Sequence, residues 1–225
     1  MWFKRTQKDK GVEVSIHDVT FNTDGWTLHN ETDQVMEWRW PERAGALSKH
    51  FFPIRPDIPV NLSQTDTLIA MNREQLKSLN GSVVEVSVII LEGVPSLMQI
   101  FALPIPQQQT GRIYIGSITL PFAAFSYVLK AQFAEVGMTG IREALLMQEF
   151  MTHNPGDFAN LQSGPFPPEV RERLHSFVND PRHDVRFPDH PLSRVRQQLA
   201  HVRTTVQIAA NVKQAPPFVV NDTGA

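Results

Sequence analysis

Residues 82–104 read SVVEVSVIILEGVPSLMQIFALP, and this stretch decides the fold. Val84, Val86, Val88 and Ile90 alternate with Val83, Glu85, Ser87 and Ile89. That is the period of two that sends successive side chains to opposite faces of a strand. Because the first set is wholly apolar, it is predicted to turn towards the core. Glu92-Gly93 supplies a short turn into Val94–Leu103, so the two segments are predicted to pair as an antiparallel hairpin.

Working outward, Pro104–Gly111 reads as a loop, and Arg112–Leu120 and Phe125–Phe133 as two further strands parted by Pro121. In the second of these, Phe125, Tyr127, Leu129, Ala131 and Phe133 share one face, the pattern of a sheet covered on one side. Gly137-Met-Thr-Gly140 breaks the strand, and a helix is predicted from Ile141 to Met151. Two glycines before a helix can present backbone N–H groups to an anion, with Arg142 as the nearby cation. The spacing lacks the third glycine and the lysine of the phosphate loops, so a strand-to-helix turn is the reading.

Towards the N-terminus, Thr65–Leu79 places Leu68, Met71, Leu76 and Leu79 roughly on one helix face. Pro41, Pro53, Pro56 and Pro59 forbid a long helix between Pro41 and Leu62, which reads as a connecting segment. Val12–Trp40 alternates like a series of antiparallel hairpins, with His17 and Asp18 on opposite faces of a strand. Trp38 and Trp40 fall on one face with Met36. They serve either as packing for the hairpins or as an aromatic patch for a partner.

After His153 the composition changes. Pro155, Pro165, Pro167, Pro168, Pro181, Pro188 and Pro191 punctuate short helical pieces, Glu169–Val178 among them. Leu192, Val195, Leu199, Val202 and Val206 then recur at the spacing of one helix face, with Arg194, Arg196 and Arg203 mostly elsewhere. Asp189-His190-Pro191 reads as the start signal of that helix, since proline suits the first turn and an aspartate there meets the positive end of the dipole. The alternative is a metal or hydrolytic site built from His183, Asp184, Asp189 and His190. No HExxH spacing joins them, so a shared metal would depend on the loop between.

A chain of 225 residues with 41% hydrophobic content holds one substantial core. The domain reading is a basic N-terminal end at 1–11, an α+β core domain at 12–153, a Pro-rich helical C-terminal extension at 154–213 packed on the core, and a flexible tail at 214–225. A formal net charge of -2 offers no general attraction to nucleic acid. The absence of cysteine excludes disulfides, thiolate metal sites and a cysteine nucleophile. No membrane span is predicted, because the most apolar window is broken by Glu85, Glu92, Gly93 and Pro95, and a cytoplasmic location is expected. No serine-hydrolase elbow occurs. With a well-patterned core and no strong catalytic signature, the expectation is a non-enzymatic protein-binding or accessory module without a cofactor. Trp38, Trp40, Arg142 and Arg194 are its candidate binding residues, and a protein its partner.

The passages VSIHDVTFNTDGWTLHN, SVVEVSVIILEGVPSLMQIFALP and GRIYIGSITLPFAAFSYVLKAQFAEVG together resemble the Mog1/PsbP-like fold, an antiparallel β-sheet flanked by helices. The resemblance runs from about Val12 to Met151. It implies a binding or accessory role, exercised in one branch on a small GTPase and in another on a photosynthetic oxygen-evolving complex. Neither binding surface transfers residue by residue, and the long segment after Met151 departs from the pattern.

Overall fold

The computed structural model describes residues 13–40, 44–157 and 166–220. The basic N-terminal end at 1–11, Trp2, Pro41, Pro165 and the last residues of the tail lie outside them. Seven strands form one antiparallel sheet in the order β2-β3-β4-β8-β7-β6-β5. They are β2 (Thr27–Glu31), β3 (Val35–Trp40), β4 (Gly45–Phe52), β5 (Ser82–Leu91), β6 (Val94–Pro104), β7 (Arg112–Pro121) and β8 (Ser126–Ala134). A two-stranded ribbon pairs β1 (Val19–Thr20) with β9 (Gln207–Ile208). The helices are α1 (Thr65–Lys77), α2 (Ile141–His153), α3 (Pro168–Val178), α4 (Pro191–Thr205) and the single turn α5 (Ala210–Lys213). This is the α+β architecture, an antiparallel sheet flanked by helices, that the strand pattern predicts. Among the described residues no helix is long and apolar enough to cross a membrane.

The β5–β6 hairpin forms as expected, with Leu91 opposite Val94. Both residues of its two-residue turn have positive φ, 51° at Glu92 and 87° at Gly93, as a type I′ hairpin turn requires. The side of β5 that meets the core changes along the strand. Val84 packs on the core as expected, but beyond it Ile89 and Leu91 turn inward while Val88 and Ile90 are exposed. The reason is the bulge between Val83 and Glu85, whose extra residue inverts the alternation that follows.

Register defines the core face. Leu47, Lys49 and Phe51 of β4 stand opposite Ala131, Leu129 and Tyr127 of β8, which stand opposite Gly116, Ile118 and Leu120 of β7. Helix α4 lies on this face, burying Leu192, Val195, Leu199 and Val202. Each such side chain contributes roughly 1.5–3 kcal/mol when taken fully from water. The close approach depends on Gly116, because a Cβ there would lie 2.5 Å from Val195 Cγ1 and 2.7 Å from Leu199 Cδ1.

Two further expectations fail. The segment read as a connection between Pro41 and Leu62 contains β4, a central strand. Its prolines bracket the strand and do not interrupt it, and a lysine on its core face hides the apolar alternation. Ile16–Asp18 is a 3₁₀ turn and no strand, because Ser15 and Asp18 close a capping box: the Asp18 carboxylate accepts the Ser15 N–H at 2.6 Å, and Ser15 Oγ accepts from His17 N. Of the tail, Gln214–Val220 is tied to the body of the protein. Ala215 is buried, Pro217 bridges to Phe122, and Val219 O accepts from Arg55 at 2.8 Å.

Candidate functional site

The end of β8, the glycine turn and the start of α4 converge on three titratable side chains. Glu135 follows the last residue of β8. One of its oxygens accepts the Arg112 N–H at 2.8 Å and the other the Gly140 N–H at 2.7 Å. Gly137 and Gly140 both have positive φ, which lets the chain reverse and start α2 beside Glu135. The first turn of α2 then delivers Glu143, whose Oε1 accepts the Tyr114 hydroxyl at 2.9 Å. His190, the N-cap of α4, brings Nε2 to 3.5 Å from Glu143 Oε1 and 3.8 Å from Glu135 Oε1. Its ring meets that of Tyr114 edge-on with centroids 5.2 Å apart.

Burial raises the Glu135 carboxyl, but the nearby His190 ring and the hydrogen bonds from the Gly140 and Arg112 amides outweigh it and hold the group below the usual carboxylate range. Tyr114 is pushed well above the ordinary phenol, first by burial and then by the Glu143 charge. Beside the trio, Arg142 is 1% exposed, with its guanidinium 3.7 Å from Glu143, 3.6 Å from Asp184 and over the Phe187 ring. Desolvation lowers its pKa.

Glu135, Glu143 and His190 form the one group of ligand-type side chains, among the described residues, whose donor atoms lie within 4.8 Å of one another. Its geometry speaks against a metal. His190 Nδ1 accepts the Leu192 N–H at 3.2 Å, so in the neutral ring the proton sits on Nε2. Coordination through Nε2 would move that proton to Nδ1, against the amide it now caps, and Arg142 adds a positive charge alongside. The trio is a loose clasp, with Nε2 lying near two carboxylates without a formed hydrogen bond to either, where the helix start meets the end of the sheet.

Of the residues expected to hold a metal, only His190 joins this group. His183 is buried against the Phe177 ring, with its pKa lowered by burial first and Arg182 next. Asp184 accepts from Ser193 and Arg196, each at 3.1 Å, and Asp189 lies on the surface 2.8 Å from Arg194. The four do not converge.

The expected binding residues also divide. Trp38 is buried edge-on to Phe21, and Arg142 is sealed inside, so neither offers a surface. Trp40 packs on Trp26 and shares a cleft of about 260 Å³ with Arg194, Gln197 and His201. Sequence reasoning passed over Glu135, Glu143 and Tyr114. No fixed spacing links them to His190, since register and the glycine turn bring them together.

Drawing Arg142 and Glu143 inward has an effect on the other side of α2. Glu149 is bound by Arg186 at 2.7 Å. The outward stripe is left with Ile141 at 44% exposure, Leu145 at 47%, Met147, Ala144, Gln148 and Thr152, none of them charged. Val136 and Met138, both exposed, extend it. An ordinary surface helix turns its charges to water and its apolar face inward. Helix α2 buries Leu146 and Phe150 in that way, but it also buries Arg142 and leaves Ile141 and Leu145 exposed on its outer face.

No family model matches the chain, and no curated protein matches it. Among solved structures it is similar to the Ran-binding protein Mog1p of Saccharomyces cerevisiae, at 7% identity and a TM-score of 0.44, covering 85% of this chain and 90% of that one. A protein of Bacteroides thetaiotaomicron shows 9% identity and a TM-score of 0.33, covering 75% and 68%. A Pseudomonas aeruginosa protein of unknown function, described as a putative regulator, shows 10% identity and a TM-score of 0.33, covering 64% and 98%.

Proposed function

We propose that the protein is a binding or accessory module for another protein, and that the outward stripe of α2 is its contact surface. The observation that carries this reading is the set of exposed apolar side chains on the outer face of α2. Its charged side chains are held inward or in ion pairs, while Ile141, Leu145 and Met147 face water beside Val136 and Met138. Contiguous exposed apolar surface is uncommon on soluble monomers and marks interaction sites, and methionine adapts to a partner's shape. The part of the partner that meets this stripe is correspondingly apolar. Trp40 and Arg194, in their separate cleft, are a secondary contact under the same reading.

The test is affinity capture from native lysate with the wild type and with a Leu145→Asp/Met147→Asp double variant. Both sites are exposed, so both proteins should melt at similar temperatures. A stoichiometric protein held by the wild type and released by the variant supports the reading. Recovery of no protein, or equal recovery by both, refutes it.

A further inference from the structure

Next to α2, two adjoining clefts of about 260 and 430 Å³ run along α3, sharing Ser82, Arg171 and His175. The lining of the smaller is largely apolar, with Ala102, Leu174 and Val178 and, at its α2 edge, the exposed Met147. The rim is cationic. Arg112 and Arg171 are exposed, and among the described residues neither is in an ion pair. Arg73 and Lys77 line the larger cleft, each beside one carboxylate, Glu172 and Glu74. In the smaller cleft the carboxylate of Glu143 is already engaged by Tyr114. On a chain whose formal net charge is -2, this is a local excess of positive charge converging on a recess.

The lining selects among anions. No glycine loop of the phosphate-binding type borders either cleft, and the phenol ring that lines one, Tyr114, is buried with its hydroxyl committed. That leaves, among the described residues, the half-buried His175 imidazole as the one ring on which a nucleobase could stack. Guanidinium groups pair with carboxylates in the plane of the fork, and an apolar lining between two of them fits a side chain flanked by acidic residues.

We infer that these clefts bind an acidic peptide segment of a partner protein, with carboxylates on Arg112 and Arg171 and an apolar side chain on Leu174, Val178 and Met147. The inference rests on the protein-binding reading above and names the chemistry of its partner. Charge complementarity of this kind sets specificity and speeds association, and it weakens with salt.

The experiment uses a fluorescein-labelled decapeptide library in which each pool fixes one residue at one position, read by anisotropy at low and at physiological ionic strength. Pools fixing Asp or Glu next to Leu or Met should bind saturably. An Arg112→Gln/Arg171→Gln variant with an unchanged melting temperature should lose at least about tenfold in affinity for them, as expected when two charged contacts are removed. Binding with no preference for acidic pools, or binding unaltered in the variant, overturns the inference. Tighter saturable binding of an oligothymidylate probe than of any peptide pool overturns it too, since the site would then serve nucleic acid. If the peptides fail while the wild type still holds a partner that Leu145→Asp/Met147→Asp releases, the cleft inference falls and the module reading stands.

Discussion

Lys49 sits on the core face of β4, opposite Leu129, 3% exposed, with Nζ donating to the Val19 carbonyl at 2.7 Å. Burial lowers its pKa from 10.5 to about 8, against a smaller opposing pull from Glu31. Below about pH 8 the ammonium is charged in both states, and the native state bears the full desolvation cost. Between about pH 8 and 10.5 the unfolded chain holds the proton and the native state does not, so stability rises with pH through that window. A depression of roughly 2.5 units at 1.36 kcal/mol per unit makes the whole effect about 3 kcal/mol, of which about 2.5 returns between pH 7 and pH 10. Lys49→Met removes the titration but leaves the Val19 carbonyl without its donor, which costs about 1–3 kcal/mol at every pH. The decisive quantity is therefore the stability difference between wild type and variant as a function of pH, measured by urea unfolding. It should move by about 2–3 kcal/mol in favour of the wild type between pH 7 and pH 10. A difference that stays constant across that range refutes the reasoning.

Two further substitutions probe the packing of α4. Gly116→Ala should destabilise by roughly 1–3 kcal/mol, because the methyl group meets the stiff Val195 side chain and Leu199 at distances neither can relieve without moving the helix; an unchanged melting temperature would mean that α4 does not lie against β7. His190→Ala should cost about 1 kcal/mol from the lost cap, while His190→Asn, which can accept the Leu192 N–H, should recover much of that loss. Equal stabilities of the alanine and asparagine variants would rule out the capping role.

Where one residue type carries one role, the chain is transparent. The aromatic face of β8 and the apolar face of α4 repeat their periods without interruption, and both are buried as read. The hairpin turn at Glu92-Gly93 and the helix start at Pro191 are equally plain, because each depends on the backbone of one or two residues. β4 was hidden because Gly45 and Lys49 occupy core positions, and each is there for a contact made elsewhere in the chain: Gly45 makes room for Phe133 and Trp26, Lys49 reaches Val19. The β5 face is only partly legible because alternation holds as far as the bulge at Val83–Glu85, which no local signal marks. The clasp was legible only in part. His190 stands out as a cap, but Glu135 and Glu143 acquire their meaning from β8 register and from two glycines with positive φ, which local pattern does not reveal.

Helix α4 supplies the cover of the central strands, yet it is translated after all of them. A nascent chain halted before Pro191 would carry every strand of the large sheet with Ile100, Ile118 and Leu129 open to water. The β1–β9 ribbon has the same timing, because Val19 waits for Ile208, nearly the whole described length later. Contacts of such long sequence separation close slowly, and uncovered apolar strands aggregate in the interval. During synthesis this protein is therefore a client of whatever shields half-made sheets, and a premature stop late in its message should yield insoluble product, not a shortened working domain.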